Sequence, residues 1–169
     1  PGGNGDPHFK TWAGRKFDYH GQCDLVLVHT PHAANGKGLD IHVRTKVESF
    51  FSYIEKAAIK LGESVLEIQH DRAILDGREL SLPLTSSVTL DDYPVIFKAY
   101  ESPSTGHPKQ AYNVMLGRNQ YVEVKVFGLF ISVKVHGATD DNFRDSIGLL
   151  GDYYSGQMLG RDQVTLMTE

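Results

Sequence analysis

The chain has 169 residues, 40% of them hydrophobic, and carries 17 basic against 21 acidic side chains for a net charge of −4. That length supports a full domain with a sizeable core. The charge excludes a nucleic-acid surface, which needs clustered positive charge. No apolar run reaches membrane-spanning length, because the densest one, 126–135, is broken by Gly128 and Lys134.

The 17 glycines, together with many Val, Ile, Tyr and Phe, favour a sheet protein rich in tight turns. The first stretch of note, GDPHFKTWAGRKFDYHGQC, spans residues 5–23 and reads as strand, turn and strand. Residues 24–29, DLVLVH, form a short apolar run of the kind found in a buried strand. From Leu39 to Val47 the chain alternates strictly, with Leu39, Ile41, Val43 and Val47 on one face. Thr45 is the one polar residue on that face. This period of two predicts a half-buried strand.

The segment 49–61 is ambiguous. Phe50, Phe51, Ile54, Ala57, Ala58 and Leu61 recur at helical spacing. Its second half belongs with residues 59–68, which read as a hairpin around Gly62, so strand is assigned there and the first half stays open. Residues 73–80 place Asp76-Gly77 between two strand-like pieces, and Asp-Gly suits a type I′ hairpin turn. Residues 93–100, 111–116, 121–127 and 129–135 read as strands, separated by a surface loop at 103–108 and by breaks at 117–119 and Gly128. The pattern predicts an all-β fold, an antiparallel β-sandwich of about ten or more strands with little helix. No linker or internal repeat divides 1–169, which reads as a single domain. Its abrupt start at Pro1-Gly2-Gly3 suggests a segment of a larger protein.

Chemistry-bearing constellations are few. His20 and Cys23, and His29 and His32, have zinc-like internal spacing. Six steps of extended chain between the pairs cover about 20 Å at roughly 3.3 Å per residue, so they do not converge on one metal. The late loop 140–154 holds carboxylates and glycines that would suit Ca²⁺, but Arg144 and Asp145 break the EF-hand pattern. Ser146 fails the Gly-x-Ser-x-Gly pattern of a nucleophile elbow, because Arg144 stands at the first glycine position. Cys23, at the start of an apolar strand, is expected to be a buried thiol. As the only cysteine it forms no internal disulfide, and by itself it is neutral about secretion. Trp12, assigned to a strand position, is expected in the core.

The Asp6-Pro7 bond is chemically distinct. The Asp6 carboxylate can attack its own main-chain carbonyl and expel the Pro7 nitrogen, with His8 as proton donor. The inert alternative is that Asp6 caps a turn and Pro7 fixes φ at a strand start.

The stretch 5–23 resembles the opening signature of the von Willebrand factor type D domain, approximately GDPHxxTxDGxxFxFxGxC. Residues 143–152, FRDSIGLLGD, resemble the family's closing "GLCGN" segment. The resemblance implies a β-sandwich in a large secreted or cell-surface protein, with a role in adhesion, assembly or partner binding and no catalysis. Its implied partners are other proteins or glycans of the matrix or cell surface. It also implies self-cleavage at GDPH in some members, and calcium binding in others. The matching calcium ligands here are Asp152 and Asp162. Ala13 replaces the family's usual Asp, Tyr154 stands where a carboxylate is expected, and Leu150 replaces the cysteine of "GLCG". The chain therefore reads as a disulfide-poor, stand-alone variant.

Overall fold

The computed structural model describes residues 2–3, 7–155 and 157–158. Fourteen strands and two single-turn helices are found among them. In chain order the strands are β1 (Gly2–Gly3), β2 (His8–Lys10), β3 (Lys16–Asp18), β4 (Asp24–Thr30), β5 (Leu39–Glu48), β6 (Phe51–Leu61) and β7 (Ser64–Gln69). They continue with β8 (Ala73–Leu75), β9 (Arg78–Glu79), β10 (Val88–Leu90), β11 (Tyr93–Glu101), β12 (Pro108–Met115), β13 (Tyr121–Phe127) and β14 (Phe130–His136). Helix α1 (Ala33–Gly36) follows β4, and α2 (Asp140–Phe143) follows β14.

The strands form two antiparallel sheets. One has eight strands in the order β10-β11-β12-β13-β14-β1-β2-β3, and the other six in the order β4-β5-β6-β7-β8-β9. Sheet faces carrying Val124, Val133 and Tyr112 meet faces carrying Ile41, Ile54, Ile59 and Ile68, and these side chains form one buried cluster. The arrangement is the expected β-sandwich, because alternating strands bury one face only against a second sheet.

The ambiguous segment 49–61 is strand from Phe51 onward. Its helical look has a specific cause. In the β5–β6 ladder Arg44 faces Lys56 while Thr45 faces Ile54, so Glu55 is an extra, bulged residue. The bulge puts buried Ile54 and buried Ala57 three apart on the core side, and three is a helical spacing. Thr45, the odd residue in β5, is fully buried. Its hydroxyl donates to the Gly21 carbonyl at 2.7 Å and accepts from the Cys23 N–H at 3.1 Å. Val47, expected on the buried face with it, is exposed.

The expected Asp76-Gly77 turn joins β8 to β9, with φ of 49° and 80° as a type I′ turn requires. Strand β1 was not expected. Gly2 pairs with Lys134 of β14 and with Lys10 of β2, which makes this two-residue strand internal to the large sheet. A Cβ on Gly2 would lie 2.1 Å from the Val133 carbonyl oxygen, so only glycine fits there.

Candidate functional site

The two signature segments meet. The opening hairpin pairs His8 with Asp18, Phe9 with Phe17 and Lys10 with Lys16. At its tip, Trp12 N–H donates to the Leu150 carbonyl at 2.9 Å. Trp12 lies in this turn, not in a strand, and its half-buried ring packs on Phe143 and Tyr153 at centroid distances of 5.2 and 5.3 Å.

The closing segment also laces along β4, an edge strand of the six-stranded sheet. His29 N–H donates to Ile147 O at 2.8 Å, Ile147 N–H returns to His29 O at 3.0 Å, and Leu149 N–H donates to Val26 O at 3.0 Å. Residues 147–150 thus cover an edge that would otherwise offer unpaired backbone groups. Leu150 is fully buried, so apolar packing occupies that position. Gly148 adopts φ of +123°, and a Cβ there would lie 2.8 Å from Leu27 O.

A polar latch fixes this seam. The Asp145 carboxylate accepts from Thr30 Oγ1 at 2.7 Å and from the His32 backbone N–H at 3.3 Å, and it contacts His32 Nδ1. Burial pushes the Asp145 carboxyl up. The His32 and Thr30 hydrogen bonds and the charge of His32 together outweigh that and hold it below the usual carboxylate value. Nearby, Asn142 Oδ1 accepts from Ala34 N–H at 2.9 Å, and Asn142 Nδ2 donates to Gln120 Oε1. Gln120 Nε2 donates to Gly137 O at 2.7 Å and Thr139 Oγ1 at 2.9 Å. Sequence reading missed this latch, since its members are spread from Thr30 to Asp145. The one local signal was Asp145 itself, a carboxylate where the calcium-loop pattern wants another residue.

The expected site residues fall as follows. Pro7 precedes β2, and His8 opens it. The His8 imidazole contacts the Asp18 carboxylate across the hairpin. Asp6 and Asp162 lie outside the described residues. Asp152 Oδ1 accepts from Ser155 N–H at 2.6 Å and Tyr154 N–H at 3.2 Å. The Ser155 backbone bond leads in holding the Asp152 carboxyl below its ordinary value. Among the described residues no three His, Cys, Asp or Glu side chains gather as a metal site. Of the zinc-like residues, His29 contacts Asp40 and His32 contacts Asp145. Cys23 is half-buried and not the fully buried thiol expected of it. Ser146 is fully buried.

Two surfaces stand out beyond the seam. At one end Phe50 is 93% exposed and leads a run of ring contacts through Phe51, Tyr53, Phe130 and Phe127. On the outer face of the large sheet, a groove of about 690 Å³ lies over Gly2, between β2–β3 and β14.

The family model for the von Willebrand factor type D domain matches residues 2–139. It covers the opening signature and all fourteen strands. The closing segment lies beyond it, and its likeness rests on its own residues alone. Domains of this family are generally non-enzymatic modules for adhesion or assembly and are typically extracellular. No helix among the described residues is long and apolar enough to cross a membrane.

Proposed function

The chain belongs to the von Willebrand factor type D family, and from that premise we propose that it is a non-enzymatic extracellular interaction or structural module of a larger secreted or surface protein. The observation that carries this reading is the seam. The residues of both signature segments serve as joints between the two sheets: Trp12 to Leu150, Ile147 to His29, and Asp145 to Thr30 and His32. A sandwich closed in this way presents rigid strands and hairpin ends, the form that suits a binding scaffold. The test is surface plasmon resonance of the folded domain against collagen, fibronectin, laminin and sulfated glycans. Saturable binding to at least one is expected, and binding to none at micromolar concentrations would overturn the reading.

A second reading is self-processing, favoured by the His8–Asp18 contact one residue beyond the Asp6-Pro7 bond. The Asp6 carboxylate oxygen bonds to the Asp6 carbonyl carbon, the bond to the Pro7 nitrogen breaks, and that nitrogen takes a proton from His8. Water then opens the cyclic anhydride, which restores the side-chain carboxyl of Asp6 and leaves a new C-terminal α-carboxyl. Asp18 orients the imidazole for this transfer. A version extended upstream of Pro1 and held at mildly acidic pH should yield two bands on a denaturing gel, while Asp6→Ala stays intact. Equal, intact bands would end this reading.

A third reading, calcium binding through Asp152 and Asp162, draws on the approach of the Ala13 turn to the closing segment at Leu150. Equal melting temperatures with calcium and with chelator would refute it.

A further inference from the structure

The groove over Gly2 has a composition at odds with the net charge of the chain. Its lining includes Lys10, Lys16, Lys134, His8 and His136. The strand register places the lysines in one row. Lys16 faces Lys10, Lys10 faces Gly2, and Gly2 faces Lys134, so all three side chains leave the same outer face. With strands about 4.8 Å apart, the row spans three strand spacings, roughly 14 Å. All three lysines are exposed. The glycine in the middle leaves the backbone as the groove floor, and no side chain can replace it, since a Cβ there would lie 2.1 Å from Val133 O.

Among the described residues, the acidic groups that line the groove or face its lysines are already engaged. Asp18 contacts His8. Glu123, across from Lys134 in the ladder, takes His136 Nε2 at 3.1 Å and Lys125 Nζ at 3.6 Å. No salt bridge engages Lys10, Lys16 or Lys134 among the described residues. Three like charges held in a row by the sheet repel one another, and an anionic chain laid along the row relieves that repulsion.

We propose that this groove binds a sulfated polysaccharide, with Lys16, Lys10 and Lys134 each meeting one anionic group along the chain. The proposal rests on the interaction-module reading and names a ligand class for it. A polysaccharide is favoured over an acidic protein because the groove has no exposed apolar anchor among the described residues. Its two apolar lining residues, Phe9 and Val135, are buried, whereas protein interfaces are held by desolvated aromatic and aliphatic anchors. Lysine also supplies mobile point charges, which suit a flexible polyanion better than bidentate recognition.

The test uses a fluorescent heparin oligosaccharide and the folded domain at several salt concentrations. Three neutralised charges predict a slope of log affinity on log salt of about −2 to −3, by analogy with counterion release from nucleic acids. The triple variant Lys10→Ala/Lys16→Ala/Lys134→Ala should bind at least about tenfold more weakly at low salt and lose most of that slope. The charge-matched control Lys46→Ala/Lys60→Ala/Lys98→Ala, all exposed elsewhere, should bind nearly as the natural sequence does. As a check that needs no variant, bound oligosaccharide should protect Lys10, Lys16 and Lys134 from acetylation, read by mass spectrometry. Equal loss in both triple variants, or no protection of these lysines, would overturn the groove. Equal competition by polyglutamate or by an RNA of the same charge would overturn the polysaccharide assignment. Either failure leaves the module reading standing if collagen, fibronectin or laminin still binds, whereas failure of all ligands removes both.

Discussion

Replacing Asp145 with alanine should uncouple the closing segment from β4. The carboxylate receives one hydrogen bond from Thr30 Oγ1, one from the His32 backbone and one contact from the His32 ring, and its side chain is 25% exposed. Hydrogen bonds to a charged acceptor are worth about 1.5–3 kcal/mol each in protected settings. Three facts reduce the sum. Water reaches part of the carboxylate, the His32 side chain is 55% exposed, and Thr30 Oγ1 keeps a second acceptor in the Asn142 carbonyl at 2.6 Å. A net loss of about 2–3 kcal/mol follows, or roughly 4–12 °C in melting temperature for a domain of this size. The loss should also depend on pH. The folded-state pKa of Asp145 is lowered, so its contribution is complete above the unfolded value and disappears as pH falls through the folded one. Urea unfolding of the natural sequence and Asp145→Ala should therefore show a full gap near neutral pH that narrows in acid as the pH falls through the lowered folded-state pKa. A gap under about 0.5 kcal/mol at neutral pH, within the usual range for ordinary surface substitutions, would refute the latch. A gap that persists unchanged in acid would refute its electrostatic origin.

Two glycines with positive φ should respond differently to alanine. Gly77 (φ +80°) has open space around its missing Cβ, so Gly77→Ala should cost only the backbone strain of about 1–2 kcal/mol, whereas Gly148→Ala adds a clash 2.8 Å from Leu27 O and should cost clearly more by chemical denaturation. Tyr112 is fully buried, and its hydroxyl finds no partner among the described residues, with burial pushing its pKa up to about 12. Tyr112→Phe should therefore leave the melting temperature unchanged or raise it, and a loss above about 1 kcal/mol would show that the hydroxyl is bonded after all. Ala13→Asp introduces a carboxylate in the turn that meets Leu150. Calcium should raise the melting temperature of that variant more than that of the natural sequence, and equal shifts in the two would show that the turn does not reach the ion.

What the sequence by itself determined is local. Alternation in residues 39–47, the Asp76-Gly77 turn and the strand-turn-strand of residues 5–23 were legible because a period of two and a positive-φ turn are properties of neighbouring residues. The family signature was legible for the same reason. What the tertiary structure decided depends on partners far along the chain. Strand β1 is two glycines, which have low strand propensity, and it exists because β14 and β2 offer backbone groups on both sides. Glu55 is a bulge only with respect to β5, so no reading of β6 alone could separate its spacing from that of a helix. Thr45 looks like an error in a buried face until the Gly21 carbonyl and the Cys23 N–H are placed beside it. The same holds for the seam and the groove. Asp145 reaches Thr30 across 115 residues, and the lysine row spans β3, β2 and β14. Hydrogen bonds and charge rows of this kind act over a few ångströms in space, and sheet pairing brings into that range residues that sequence distance keeps apart.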